Sequence, residues 1–197
     1  MSTTRRTAAS VSGSPSATDP VTVEIIRNAL NSAAEDMNAT LIRSAYTPII
    51  YECGDCVVAL LDADHQVLGQ SAGLPIFLGN LETCTKATEE MFGRDVWQPG
   101  DVWILNDSYL AGTHLNDVTI FGPVFVGRTL VGFTACRAHW IDVGSKDPGG
   151  SMDSVNIFQE GLRLGPQKLV SGCVEERALI DTISRNVRFP YPTTGDM

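Results

Sequence analysis

The sequence predicts an α+β fold, a mixed or antiparallel sheet with hairpins, packed by one long N-terminal helix. Three observations predict it. Val23, Ile26, Leu30, Ala33, Ala34, Met37, Leu41 and Ala45 recur at three- and four-residue steps, the period of one apolar helical face. Two runs rich in β-branched and aromatic residues, 118–126 and 129–138, are separated by Gly127-Arg128 alone. That is the length of a two-residue hairpin loop, with glycine supplying the positive φ. Shorter apolar runs at 56–61 and 101–105 have strand length and are bounded by turn residues.

The elements follow in order. Residues 1–18 are rich in Ser, Thr, Ala, Gly and Pro, the composition of a disordered tail. Arg5 and Arg6 are not followed by an apolar stretch, so no signal peptide is expected. One domain is expected over 19–197. Asp19 as N-cap and Pro20 at the first helical position start the long helix. It is expected to run about seven turns with its apolar face in the core, and Pro48 ends it. The run 56–61 is a strand, Asp62-Ala63-Asp64-His65 a turn, and 66–70 the returning strand. Gly73-Leu74-Pro75 breaks the pattern. Asn80 caps a helix from Leu81 to about Phe92, closed near Gly93. Pro99-Gly100 turns the chain into the strand 101–105, which aims Asn106 and Asp107 from its C-terminal end. A loop at 145–150, a short strand over 162–170 and a helix over about 175–187 complete the list. No compact ending is visible in Thr193-Thr194-Gly195-Asp196-Met197, so the chain reads as a fragment or a split subunit.

Composition narrows the function. Hydrophobic residues make up 43%, enough for a packed core. The formal charge is −9 with no basic stripe, which argues against a nucleic-acid partner. No apolar run approaches the roughly 18 residues of a membrane span. Five cysteines, an odd number without a secretory signal, read as reduced thiols in the cytoplasm.

The chemistry concentrates in Asn106–Asp117 and Arg137–Gly144. The first stretch holds His114 and Asp117, the second His139, and the expected hairpin lies between them. A hairpin brings its two ends together, so His114, Asp117 and His139 are candidate ligands of a divalent metal. Two imidazoles and one carboxylate suit Zn²⁺, Mn²⁺ or Fe²⁺ and leave positions open for water or substrate. The bland reading is a histidine that caps loop carbonyls. Asp107 and Asp142 flank the region and are candidate catalytic groups, orienting an imidazole or moving a proton. Loop capping is the commoner role of Asp in turns. Asp142 is expected on an extended segment, sharing a face with Trp140 and lying opposite His139. Cys53-Gly-Asp-Cys56 is a lone C-x-x-C with no second pair to complete a zinc site, and Cys56 opens an apolar strand. His65 reads as a solvated turn residue. Neither a phosphate-binding G-x-x-x-x-G-K-[ST] loop nor a G-x-G-x-x-G fingerprint occurs.

Five stretches together carry a resemblance: Asp19–Asn28, Val102–Tyr109, Gly112–Asp117, Arg137–Gly144 and Ile157–Arg163. The chain resembles the N-terminal part of the hydantoinase B / acetone carboxylase α-subunit family, whose members are usually much longer. The resemblance implies a metal bound by His, Asp and His, matching His114, Asp117 and His139. It implies ATP-dependent opening of hydantoin or oxoproline rings, or carboxylation of ketones, with an amide or ketone as substrate. ATP with Mg²⁺ would lie largely on a hydantoinase A-like partner subunit, and another chain would supply the C-terminal part. The alternative is a non-catalytic structural subunit or truncated fragment that uses the site for assembly.

Overall fold

The structure, a computed structural model, describes residues 19–73 and 75–197. The tail expected over 1–18 lies outside the described residues. Helix α1 spans Pro20–Ser44, and Asp19 caps it by accepting from the Thr22 amide. A helical turn, α2 (Pro48–Tyr51), starts at Pro48. Strands β1 (Cys56–Asp62) and β2 (Val67–Gln70) form the first hairpin. The short helix α3 (Pro75–Leu78) and helix α4 (Leu81–Phe92) follow. Strand β3 (Val102–Leu105) leads through α5 (Ser108–Ala111) into the hairpin of β4 (Asp117–Val126) and β5 (Thr129–His139). Strands β6 (Gln167–Ser171) and β7 (Val174–Glu175) and helices α6 (Arg177–Arg185) and α7 (Pro190–Gly195) complete the described chain.

Every strand pairing is antiparallel, in the order β2-β1-β5-β4-β3-β6-β7. The period of two divides the side chains between two cores. Val57, Leu61, Trp103, Leu105, Phe121 and Phe133 share one face with Leu81 and Cys84 of α4. Cys56, Ile104, Val118 and Ala138 share the other with Ile50, Trp140 and Ile183. The sheet is therefore a middle layer.

Helix α1 differs from its expected role. Ala34 is buried, and Leu30, Ala33, Met37 and Leu41 are half-buried, but Val23 and Ile26 are exposed. The reason is length. Twenty-five residues reach roughly 37 Å, and the four residues of β2 at the sheet edge cannot cover them. Where the helix does pack, Gly69 of β2 lets it close in: a Cβ there would meet the Leu30 carbonyl at 3.0 Å.

Four further expectations are corrected. Helix α4 has the expected limits, but Asn80 does not cap it; its side chain donates to the Ile76 carbonyl instead. His65 is buried, stacked on Phe133, with Nδ1 3.0 Å from Thr85 Oγ1 and Nε2 3.4 Å from Glu89. Residues 162–166 are not a strand, because Asn106 takes their backbone groups: its carboxamide accepts from the Leu164 amide at 2.6 Å and donates to the Leu162 carbonyl at 2.9 Å. The last residues dock rather than trail. Asp196 accepts from the Tyr46 amide and the Thr47 hydroxyl, both at 2.6 Å, and Tyr191 packs edge-on against Tyr46.

Candidate metal centre

The β4–β5 hairpin places the site. Its register pairs Asp117 directly with His139 at the end of the ladder. Both are odd-numbered, so both side chains leave the sheet on the α4 face. Cβ atoms of directly opposed residues are about 5 Å apart, close enough for the two side chains to meet. His139 Nδ1 lies 3.0 Å from Asp117 Oδ1. His114 reaches the same point from the loop three residues before β4, its Nε2 3.2 Å from Asp117 Oδ1 and 3.2 Å from His139 Nδ1.

That loop is held from several sides. Asp107 caps α5 by accepting from the Tyr109 amide. The Ala111 carbonyl at the end of α5 accepts from the buried guanidinium of Arg137 at 2.8 Å. Buried Asn106 donates to the Leu115 carbonyl at 2.7 Å, and buried Asn116 donates to the Trp140 carbonyl at 2.8 Å. Leu115 between them is fully buried. His114 is thus about half exposed on a pinned loop, while Asp117 and His139 are buried. The roles of Asn106, Asn116 and Arg137 escape the sequence reading, since each depends on a partner distant in the chain.

Three atoms with lone pairs now crowd one point. The Thr113 hydroxyl donates to Asp117 Oδ2, leaving Oδ1 to face the imidazoles. His139 Nε2 lies 3.3 Å from the Gly149 carbonyl. An N–H there places the bare nitrogen of the ring, Nδ1, at the cluster, the second contact typical of a metal-ligating histidine. One proton can satisfy only one edge of such a triangle. An ion at about 2.1 Å from three donors would space them roughly 3.0 to 3.4 Å apart for octahedral to tetrahedral angles. The three observed edges fall in that range. Among the described residues this is the one group of three or more His, Cys, Asp or Glu that converges in this way.

Electrostatics agree with a site for positive charge. Burial pushes the Asp117 carboxyl up, but hydrogen bonds and charge from His114 and His139 outweigh it, and its pKa falls below the ordinary value. The hydrogen bond to Asp117 raises the His114 pKa against partial desolvation, and the charges of Asp117, Glu160 and Asp55 add to the rise.

Asp107 and Asp142 are not brought into the cluster. Asp107 holds the Tyr109 amide and lies 3.7 Å from Arg163. Asp142 is fully buried, accepting from the Gly144 and Arg188 amides and from the Arg188 guanidinium at 3.3 Å. The strand ends at His139, so Asp142 does not share an extended face with Trp140 as expected. Both carboxylates organise backbone. In the C-x-x-C, Cys53 is exposed and Cys56 buried, both thiols are free, and burial pushes the Cys56 thiol up to about 11. Sequence reading also missed Asp55 inside that motif, whose backbone carbonyl accepts from the His139 amide at 3.0 Å.

Comparison with known proteins gives the family. The family profile described as Hydantoinase B/oxoprolinase matches residues 19–197. One component of a putative D-/L-hydantoinase from Pseudomonas sp. (strain NS671) is 34% identical over 184 residues, 91% of this chain and 31% of the relative. The crystal structure of the ATP-dependent caprolactamase from Pseudomonas jessenii matches with a TM-score of 0.83 at 32% identity, over 92% of this chain and 31% of that one. A nucleotide-free acetone carboxylase structure gives 0.80 at 23% identity, over 91% of this chain and 24% of that one, a likeness of fold. The chain spans about a third of the length of the first two. With the profile running from the N-cap of α1 through the docked C-terminal residues, the chain belongs to the hydantoinase B/oxoprolinase family.

Proposed function

We propose that this chain carries the divalent-metal centre of an ATP-dependent complex that opens a cyclic amide or carboxylates a ketone. The carrying observation is the convergence of His114 Nε2, Asp117 Oδ1 and His139 Nδ1 within 3.0–3.2 Å of one another. The names of its relatives, a hydantoinase and an ATP-dependent caprolactamase, support the substrate class. A bound Zn²⁺, Mn²⁺ or Fe²⁺ would supply Lewis acidity toward a carbonyl or enolate oxygen. The chain's own residues do the rest. The Gly149 carbonyl fixes the His139 ring, Thr113 fixes the Asp117 carboxylate, and the half-exposed His114 borders the approach. ATP with Mg²⁺ belongs to a hydantoinase A-like partner subunit, and a further chain or segment supplies the part of the fold that longer relatives contain.

Metal analysis tests this. The purified chain should hold close to one equivalent of a divalent transition ion. His114→Ala and His139→Ala should each lose most of it, because two remaining ligands rarely retain such an ion. Cys53→Ser with Cys56→Ser should leave it unchanged. Equal metal in the wild type and both histidine variants would remove the site. Turnover of a cyclic amide or ketone should appear only when an ATP-binding partner is added.

A further inference from the structure

Arg137 carries a charge that nothing around it answers. Its side chain is fully buried. Nε donates to the Thr119 hydroxyl at 2.7 Å, and Nη2 lies 2.8 Å from the Ala111 carbonyl and 3.3 Å from the Cys84 sulfur. Nη1 is buried with no hydrogen-bond partner, and among the described residues no carboxylate forms an ion pair with this guanidinium. Burial raises the Cys84 pKa against the pull of the guanidinium, so the thiol stays neutral and supplies no counter-charge. A guanidinium does not shed its proton inside a protein. An unpaired buried charge is costly, and bracing the loop does not require one. Asn106 and Asn116 hold the same loop with neutral amides.

The register says where this charge acts. Thr119 pairs with Arg137 as Asp117 pairs with His139. All four are odd-numbered, so the two rows lie side by side on the α4 face, about 7 Å apart along the strands. From its row the guanidinium reaches Ala111, three residues before His114. It therefore spans from the ladder to the loop that carries His114, beside the three converging donors and inside the protein, where screening is weak. A fixed positive charge there has two opposite effects. It repels a divalent cation and lowers its affinity. It attracts an anion to the coordination positions that the protein leaves open, while a neutral oxygen gains far less.

We infer that Arg137 is a specificity-determining residue of the centre: its permanent charge biases the open positions toward an anionic oxygen, of the carboxylate, enolate or phosphoryl kind, over the neutral oxygen of an unactivated amide. This rests on the His114–Asp117–His139 reading and narrows what that centre takes.

Binding is read on the chain itself, without turnover. Apo protein is titrated with Mn²⁺. The Co²⁺-loaded protein is then titrated with acetate, inorganic phosphate and acetamide, each reported by the visible absorption of Co²⁺. Arg137→Met keeps much of the side chain's length and removes its charge. It should tighten Mn²⁺ about tenfold and weaken acetate or phosphate about tenfold, with acetamide unchanged. A response of acetate alone marks a carboxylate oxygen and of phosphate alone a phosphoryl oxygen; either supports the inference. Only opposite signs for cation and anion do so. Joint weakening of Mn²⁺ and all three probes, as the loss of a mere brace gives, or no change at all, overturns it. Should Arg137→Met fail to fold, Arg137→Lys keeps the charge without the fork. A wild-type preference for anions over acetamide then supports the inference, and loss of that preference overturns it. His139→Ala tests the centre beneath. If it binds Mn²⁺ like the wild type, the centre itself is wrong; if it loses Mn²⁺, the centre stands and the results at Arg137 decide the role of Arg137 alone.

Discussion

At the scale of single residues, protonation decides whether the centre can fill. His114 Nε2 must be free of its proton to bind an ion, and the hydrogen bond to Asp117 holds its pKa above 6.5. Protons therefore compete with the metal up to a higher pH than at an isolated histidine. Apparent Mn²⁺ affinity should climb by as much as about tenfold per pH unit until the His114 pKa is passed, then flatten. Titrations at several pH values, in a buffer that does not bind the metal, read this. A flat profile from weakly acid to weakly alkaline pH would show that His114 does not ligate. Stability has its own pH signature, at Glu89. Burial raises its pKa, but the 2.7 Å bond from Trp97 Nε1 and the charges of His65 and Arg94 bring it below 4.5. A carboxyl depressed on folding contributes stability above its unfolded value and loses it as pH falls through the folded one. Glu89→Gln should flatten the acid side of the urea-stability profile below about 4.5 and lower the plateau above it. The residues that sequence reading expected to meet and that converge, His114, Asp117 and His139, are linked by one local hairpin. Those it missed or misjudged depend on distant partners. Asp55 acquires its place only through the β1–β5 register, and His65 only through Thr85 and Glu89 on α4.

At the scale of elements, the metal loop depends on buried amides. Asn106 makes three bonds, to the Leu115 and Leu162 carbonyls and from the Leu164 amide. They tie the end of β3, the loop before β4 and the 162–164 segment into one unit. Asn106→Ala leaves these backbone groups buried without partners, at about 1–3 kcal/mol for the first and less than additively for the others. Chemical denaturation should show a loss of about 2–4 kcal/mol, together with weaker metal binding because the loop holding His114 loosens. Asn80→Ala is the matched control: its side chain makes no cap bond to α4, and the change should stay within about 0.5 kcal/mol. A loss at Asn80 equal to that at Asn106 would contradict this account. Strands and hairpins were legible because their period and turn residues are local, from Gly127-Arg128 to the limits of α4. What was not legible is how much of an element its neighbours cover. The apolar period of α1 predicts a buried face, yet β2 is too short to bury Val23 and Ile26.

At the scale of the whole molecule, the uncovered apolar surface sets the expected behaviour in solution. Val21 and Ile25, one helical turn apart on α1, are 65% and 64% exposed, so their side chains adjoin. Met152, Val155 and Phe158 stand out further on the segment after β5. Scattered single apolar residues are ordinary, but neighbouring ones make patches that another surface covers. The longer relatives, of which this chain spans about a third, have the additional chain to do so. The net charge of −9 opposes self-association only weakly at physiological salt, since exposed charges are screened beyond about 8 Å. The isolated chain should therefore associate in a concentration-dependent way in sedimentation velocity. Val21→Glu with Ile25→Glu should shift it toward monomer without lowering its denaturation midpoint, because these side chains lose little area on folding. Val155→Ser with Phe158→Ser provides the same test for the second patch. If the wild type is a sharp monomer at all concentrations and unfolds in one cooperative step, the exposed faces need no cover. The described residues would then form a self-sufficient domain, and metal binding could be measured on it without a partner.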